Sequence, residues 1–300
     1  MTEPRRLDPL PLGGADGPPY SKGLMARALM ATGLPPTPAY ELARRLEVDL
    51  ATRNGEAMSL DRIEEVAVEL LGENGRHAAD RLRRYRNLQE LDAAIVLLIG
   101  GATGTGKSTI ATEAAYRLGI TRVTSTDFIR QTMRAFFSRE FMPSVHDSSF
   151  EARLTPEGDT GPEGRLPGFL DQTRNVLVGV RAALDRALHE GWSMVIEGVH
   201  LVPSMLPPIE GPVVVQCVVA IEDEEEHLSH FQIRDASSQG LRPLKKYVSH
   251  FADIRALQDY IVERARRNDV PVVMNTSAEV AVGEVIGLVL DAAEQVESVS

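Results

Sequence analysis

Between Ile95 and Thr109 the chain reads IVLLIGGATGTGKST, an apolar run that passes abruptly into glycines and then into Lys-Ser-Thr. No other stretch constrains the fold as tightly. Gly101, Gly104 and Gly106 carry little bulk, so successive backbone N–H groups can turn inward around an anion. Lys107 adds a point charge and Ser108 a hydroxyl suited to Mg²⁺. The spacing Gly101-x4-Gly106-Lys107-Ser108 is that of a phosphate-binding loop, which requires a strand before it and a helix after it. Both are present. Ala94–Ile99 is almost wholly apolar, as a strand buried on both faces must be. STIATEAAYRLG reads as a helix closed by Gly119, with its N-terminal N–H groups and positive dipole end aimed at the phosphates. The nucleotide-binding loop is therefore expected to comprise Gly101, Ala102, Thr103, Gly104, Thr105 and Gly106, with Lys107, Ser108 and Thr109. A glycine-rich turn without a ligand would need neither Lys107 nor these flanks.

The rest of the chain follows from that anchor. Residues 1–20, rich in Pro and Gly, read as a mobile tail. Residues 21–92 carry helical periodicity and no strand signal. Leu24, Ala28 and Leu29 line a first helix, and Tyr40, Ala43 and Leu46 a second. Ile63, Val66 and Leu70 line a third behind the N-cap candidate Ser59, and Leu82, Tyr85 and Leu88 a fourth. From residue 93 to 300 strand candidates at 94–99, 121–125, 193–197, 213–221 and 271–275 alternate with helices. That pattern implies an α/β fold, a doubly wound parallel sheet with right-handed crossovers. Ligands in such folds sit at the carboxyl ends of the strands.

Chemistry is expected at those ends. Asp127 closes the second strand in STDFIRQTMR and opens a helix bearing Arg130 and Arg134, four apart on one face. The carboxylate could hold Mg²⁺, take a proton from an attacking hydroxyl, or simply cap the helix, and the arginines could clamp an anionic acceptor. Glu197, in VIEGVHL at the end of the third strand, stands where a Walker B acid holds Mg²⁺. His200 and His146 are weaker signals with no companion metal ligand at helix spacing; of the two, His200 is assigned to the substrate side. RDASSQGLRPLKK, between residues 234 and 246, reads as a basic lid whose Arg234 and Arg242 would close over the transferring phosphoryl group. It leads to a long helix with Tyr247, Phe251, Ile254, Leu257 and Ile261 on one face.

Bulk properties narrow the partners. A net charge of −11 and a pI near 5.2 argue against a nucleic-acid surface. The apolar runs fall short of the ~18 residues that span a membrane. No signal peptide is visible, and the single Cys217 lies in a strand-like run without a partner in the chain, so a cytoplasmic location is expected. A homo-oligomer is compatible with all of this. The absence of an Asn-Lys-x-Asp stretch counts against a GTPase, and the chain is too small for a motor ATPase.

From Ile95 to Asn275 the chain resembles the 2-phosphoglycerate kinase family in its blocks GGATGTGKSTIA, STDFIRQTMR, HDSSFEA and IEGVHLVP. Residues 21–92 resemble an ATP-cone in YSKGLMARALMATGL, AYELARRLE and AADRLRRYR, although GGADGPPYSKG replaces the usual basic opening turn. The resemblance implies a P-loop NTPase sheet preceded by a small all-α ATP-cone-like domain. It also implies phosphoryl transfer from ATP, with Mg²⁺, to the 3-hydroxyl of 2-phosphoglycerate, giving 2,3-bisphosphoglycerate. Lys107 and Ser108 would serve the nucleotide, and Asp127 and Arg130 the acceptor. Spacing alone leaves open another small acceptor, such as a sugar acid or a nucleoside, and an adenylate-sensing module without turnover.

Overall fold

The computed structural model describes residues 10–13, 19–52, 57–91, 93–154, 162–237 and 244–297; within these, the side chains of 162–164, 234–237 and 297 lie outside the description. Helices α1 (Lys22–Ala31), α2 (Pro36–Ala51), α3 (Leu60–Leu71) and α4 (Glu73–Glu90) come first. The sheet follows, with β1 (Ile95–Gly100), β2 (Val123–Ser125), β3 (Met194–Glu197), β4 (Val213–Ala220) and β5 (Val272–Met274) at the five expected positions. Its order is β2-β3-β1-β4-β5 and every pairing is parallel. Placing β1, the strand before the phosphate loop, at the centre explains its unbroken burial.

The linking helices are α5 (Lys107–Leu118), α6 (Thr126–Phe136), α7 (Pro162–His189), α8 (Glu224–Ser237), α9 (Leu244–Ser249), α10 (Phe251–Arg267) and α11 (Ala278–Glu297). They cover both faces. Val96, Leu98 and Ile196 pack on Val176, Val180 and Leu184 of α7, while Val218 packs in a cluster with Phe231 of α8 and Ile254, Leu257 and Ile261 of α10. On the other face Leu97, Ile99, Val195, Cys217 and Val219 meet Ile110 and Ala114 of α5 and Val285 and Val289 of α11. That second core continues without a break into α1–α4, through Met25, Leu29, Leu42, Leu46, Leu82 and Tyr85.

Four local expectations need correction. Residues 10–13 of the expected tail are packed, with Leu10 buried and the Leu12 carbonyl accepting from Met58 N–H. Leu24 and Tyr40 are 37% and 45% exposed, because Met25 and Ala26, and Ala39 and Leu42, occupy the inward faces of their helices. The long helix expected from Tyr247 onward is broken between α9 and α10, where the Ser249 hydroxyl turns back to the Lys246 carbonyl and His250 leaves helical geometry. Asp127 is not the N-cap of α6. Ser125 caps it, accepting from Phe128 N–H at 3.0 Å, and so leaves the Asp127 carboxylate to other work. Ser59 does cap α3, as expected. Among the described residues no helix is long and apolar enough to cross a membrane.

Candidate active site

The parallel register brings Ile99, Glu197 and Ser125 into one row across β1, β3 and β2. The loops leaving those strand ends enclose a cavity of about 1100 Å³. One wall is the phosphate loop. Gly104 there has φ +89°, and a Cβ on it would lie 2.4 Å from Phe231 Cζ, so only glycine fits. The side chains of Thr103, Lys107, Ser108 and Thr109 line the cavity, whereas Gly101, Ala102 and Thr105 lie beneath it. Lys107 is 8% exposed, and its Nζ donates to the Ala102 carbonyl at 2.6 Å. Burial pushes its ammonium below the ordinary lysine value, and Glu197 and Asp127 work against that shift. The Ser108 hydroxyl donates to Glu197 Oε1 at 2.9 Å. A hydroxyl and a carboxylate so juxtaposed are hard oxygen donors of the kind Mg²⁺ takes from protein while drawing its other ligands from water and phosphate. No group of three or more His, Cys, Asp or Glu suited to a metal occurs among the described residues, and this chemistry does not call for one.

The opposite wall belongs to α6 and the loop after it. Asp127 stands in the cavity with 65% of its side chain accessible, beside Arg130 Nε at 3.3 Å. Partial loss of hydration between the cavity walls would by itself raise its carboxyl; His200, Arg130 and Lys107 outweigh that and hold it below the ordinary aspartate value. Arg130 Nη1 also donates to the Val145 and Asp147 carbonyls, at 3.1 and 2.8 Å, anchoring the loop that contributes Ser148, Ser149 and Phe150 to the wall. Arg134 lies one turn further on, outside the main cavity. It joins Arg130, Arg139 and Lys246 around a side pocket of about 350 Å³ that shares Arg130, Gln131 and Ser148 with the main one.

His200 does not face the cavity, contrary to its assignment to the substrate side. It is 0% exposed, with Nδ1 2.7 Å from the Thr126 hydroxyl and Nε2 2.9 Å from Gln172 Oε1. The amide oxygen can only accept, so Nε2 carries the proton and Nδ1 accepts from Thr126. Burial pushes the ring down to about 4, so it is neutral. It fixes Thr126 beneath Gly198, where a Cβ would come within 1.9 Å of the Thr126 hydroxyl oxygen. His146 lies on the side pocket and contacts the Phe137 carbonyl. The side chain of Arg234 and the whole of Arg242 lie outside the described residues.

Sequence reasoning missed several residues of this site. Asn275, Thr276 and Ser277 line the cavity after β5, where the strand-end rule points, but they lack a charge to mark them. His227 and His230, i and i+3 on α8, bond the carbonyls of Thr103 and Gly104. Their helical spacing was a readable signal.

No family model matches the chain. It is, however, similar over most of its length to proteins named 2-phosphoglycerate kinase. It is 34% identical to the one from Methanopyrus kandleri over 273 residues, 90% of this chain and 84% of that protein. It is 36% identical to that of Thermococcus kodakarensis over 269 residues, 89% and 91% of the two chains. It is also 36% identical to that of Methanothermobacter thermautotrophicus over 272 residues, 89% of each. With similarity of this extent spanning both the helical N-terminal part and the phosphate-loop sheet, the chain belongs to the 2-phosphoglycerate kinase family.

Proposed function

We propose that this chain transfers the γ-phosphoryl group of ATP to the 3-hydroxyl of 2-phosphoglycerate, giving ADP and 2,3-bisphosphoglycerate. One observation carries the reading. A single cavity has a phosphate loop on one wall and, facing it, a carboxylate backed by arginines, with the Ser108–Glu197 pair between them. In-line transfer asks little covalent chemistry of a protein, so positioning and charge stabilisation do the catalysis. Lys107 bridges the β- and γ-phosphates. Asp127 orients the acceptor hydroxyl and takes its proton as the new P–O bond forms and the bond to ADP breaks. Arg130 and Arg134, beside the side pocket that Arg139 and Lys246 line in ion pairs with Asp147 and Glu151, receive the phosphate and carboxylate that 2-phosphoglycerate already carries. Ser108 and Glu197 are the residues suited to hold Mg²⁺, which when bound neutralises charge on the β- and γ-oxygens. The reaction belongs in the cytoplasm, in keeping with an unpaired, buried Cys217.

The test is ADP release from MgATP, with the acceptor varied across 2-phosphoglycerate, 3-phosphoglycerate, glycerate, sugar acids and nucleosides, and the product read by ³¹P NMR. Turnover that depends on 2-phosphoglycerate and yields a bisphosphate is expected. Turnover with a different acceptor only would move the substrate assignment. ATP binding without any turnover would make the chain a sensor.

A further inference from the structure

Four consecutive carbonyls of the phosphate loop are each met by a side-chain donor. Lys107 Nζ and the Thr105 hydroxyl donate to Ala102 O, at 2.6 and 3.1 Å. His227 Nε2 donates to Thr103 O at 2.9 Å, His230 Nδ1 to Gly104 O at 3.0 Å, and Asn275 Nδ2 to Thr105 O at 3.0 Å. A carbonyl oxygen only accepts, so each contact fixes which nitrogen bears the proton: Nε2–H on His227 and Nδ1–H on His230. The peptide unit is planar and trans, and the oxygen of one residue lies on the opposite edge from the N–H of the next. Pinning the oxygens of residues 102–105 therefore sets the direction of the N–H groups of residues 103–106, the groups that meet an anion in such a loop.

We infer that His227, His230 and Asn275 are positioning residues that hold the loop in its phosphate-gripping conformation before the nucleotide arrives. The brace comes from two separate elements, α8 and the end of β5, and its α8 half is itself immobilised. His227 is fully buried, stacked on Phe231 with ring centroids 5.4 Å apart and edge-on to Phe251 at 5.5 Å, and Phe231 abuts Gly104. A loop freed from these pins must spend binding energy on ordering itself, which weakens nucleotide binding and blunts transition-state stabilisation together. The inference rests on the loop being the ATP site.

The isosteres of histidine make the test specific. An asparagine amide nitrogen mimics Nδ1 and a glutamine amide nitrogen mimics Nε2. Binding of a non-hydrolysable ATP analogue with Mg²⁺ is measured on the full chain, alongside steady-state kinetics with each substrate varied and a melting curve for every variant. His230→Ala and Asn275→Asp should raise the analogue Kd roughly two- to tenfold and lower kcat, with the acceptor KM unchanged. His230→Asn should recover most of the affinity and His230→Gln little, while at His227 the order reverses. Asn275→Asp keeps the shape but replaces the donor with an acceptor, so it reports even if a His227 variant folds poorly. Wild-type affinity in both His230→Ala and Asn275→Asp, or equal rescue of His230 by Asn and Gln, overturns the brace. Failure of the wild-type chain to bind the analogue overturns the ATP-site reading, and the brace with it.

Discussion

Burial pushes the Lys107 ammonium below the ordinary lysine value, and the Glu197 and Asp127 carboxylates work against that shift. Removing the ammonium should leave those carboxylates facing the incoming phosphates. Lys107→Ala is therefore expected to cut kcat by orders of magnitude with little change in melting temperature, and near-normal turnover would remove this loop from the chemistry. The two arginines of α6 should behave differently from one another. Arg134 bonds the neutral Gln131 amide and lies on the side pocket, so Arg134→Ala should raise the acceptor KM about tenfold at an unchanged ATP KM. Arg130 also touches Asp127 and holds two carbonyls of the 145–147 loop, so Arg130→Ala should lower kcat as well. An ammonium offers no bidentate fork, so Arg130→Lys should restore only part. Steady-state kinetics with each substrate varied in turn checks both; an ATP KM that moves while the acceptor KM stays put would put α6 on the nucleotide side. Lys107 and Ser108 were legible from the spacing of the phosphate-loop glycines, and Asp127 and Glu197 because a carboxylate at the end of a strand is rare. Asn275 was not, because a neutral side chain that bonds a backbone carbonyl leaves no mark on composition, whereas the two histidines of α8 showed only in their i, i+3 spacing.

At the scale of elements the strands were legible because burial on both faces demands short apolar runs, which Ile95–Ile99 and Val213–Val219 supply. Helix faces were less so. Around Leu24 and Tyr40 apolar residues fall on more than one face, and only the tertiary partner decides which turns inward. At the break between α9 and α10 the Ser249 hydroxyl donates to the Lys246 carbonyl, a local bond invisible to periodicity. The chain also hides an inter-element tie in a helix that reads as ordinary. Arg117 of α5 is buried, yet it donates to Glu113, to both Glu279 oxygens at 2.8 and 2.6 Å, and to the Met30 carbonyl. It thus joins α1, α5 and the first turn of α11. Glu279 and Glu113 are partly solvated, so the pair falls below the range of a fully buried bridge. Glu279→Gln is expected to cost about 2 kcal/mol in urea unfolding, and Arg117→Lys a similar amount because the three donors of one ammonium, gathered at a single point, cannot span four oxygens on three residues. Stability within a few tenths of a kcal/mol of wild type in both variants would show the three helices to be held by their apolar core alone.

For the molecule as a whole, the two buried histidines tie stability to pH. His200 and His227 are neutral in the folded chain because burial pushes both rings down to about 4, while the unfolded chain takes up each proton near 6.5. Between those values the unfolded state binds more protons, so stability rises with pH through this window and is lost as pH falls through it. The contribution is complete above about 6.5 and exhausted near 4. From pH 6.5 to 5 the loss should be about 1.5 kcal/mol per histidine, because the slope reaches its full ~1.4 kcal/mol per pH unit only below the unfolded value. Toward pH 5 the depressed carboxylates of Asp127, Asp147 and Glu279 begin to act in the same direction as their unfolded-state values are approached, so the histidine share is read from the variants. Protonation of His200 would also disturb the site, because its Nδ1 could no longer accept from the Thr126 hydroxyl. Urea unfolding at pH 7, 6 and 5 should therefore show a falling midpoint in the wild type. His200→Gln and His227→Gln should each remove about half of that fall, since an amide does not titrate. A flat profile in the wild type, or an unchanged slope in both variants, would mean that these rings shed their burial cost by local opening rather than by global unfolding.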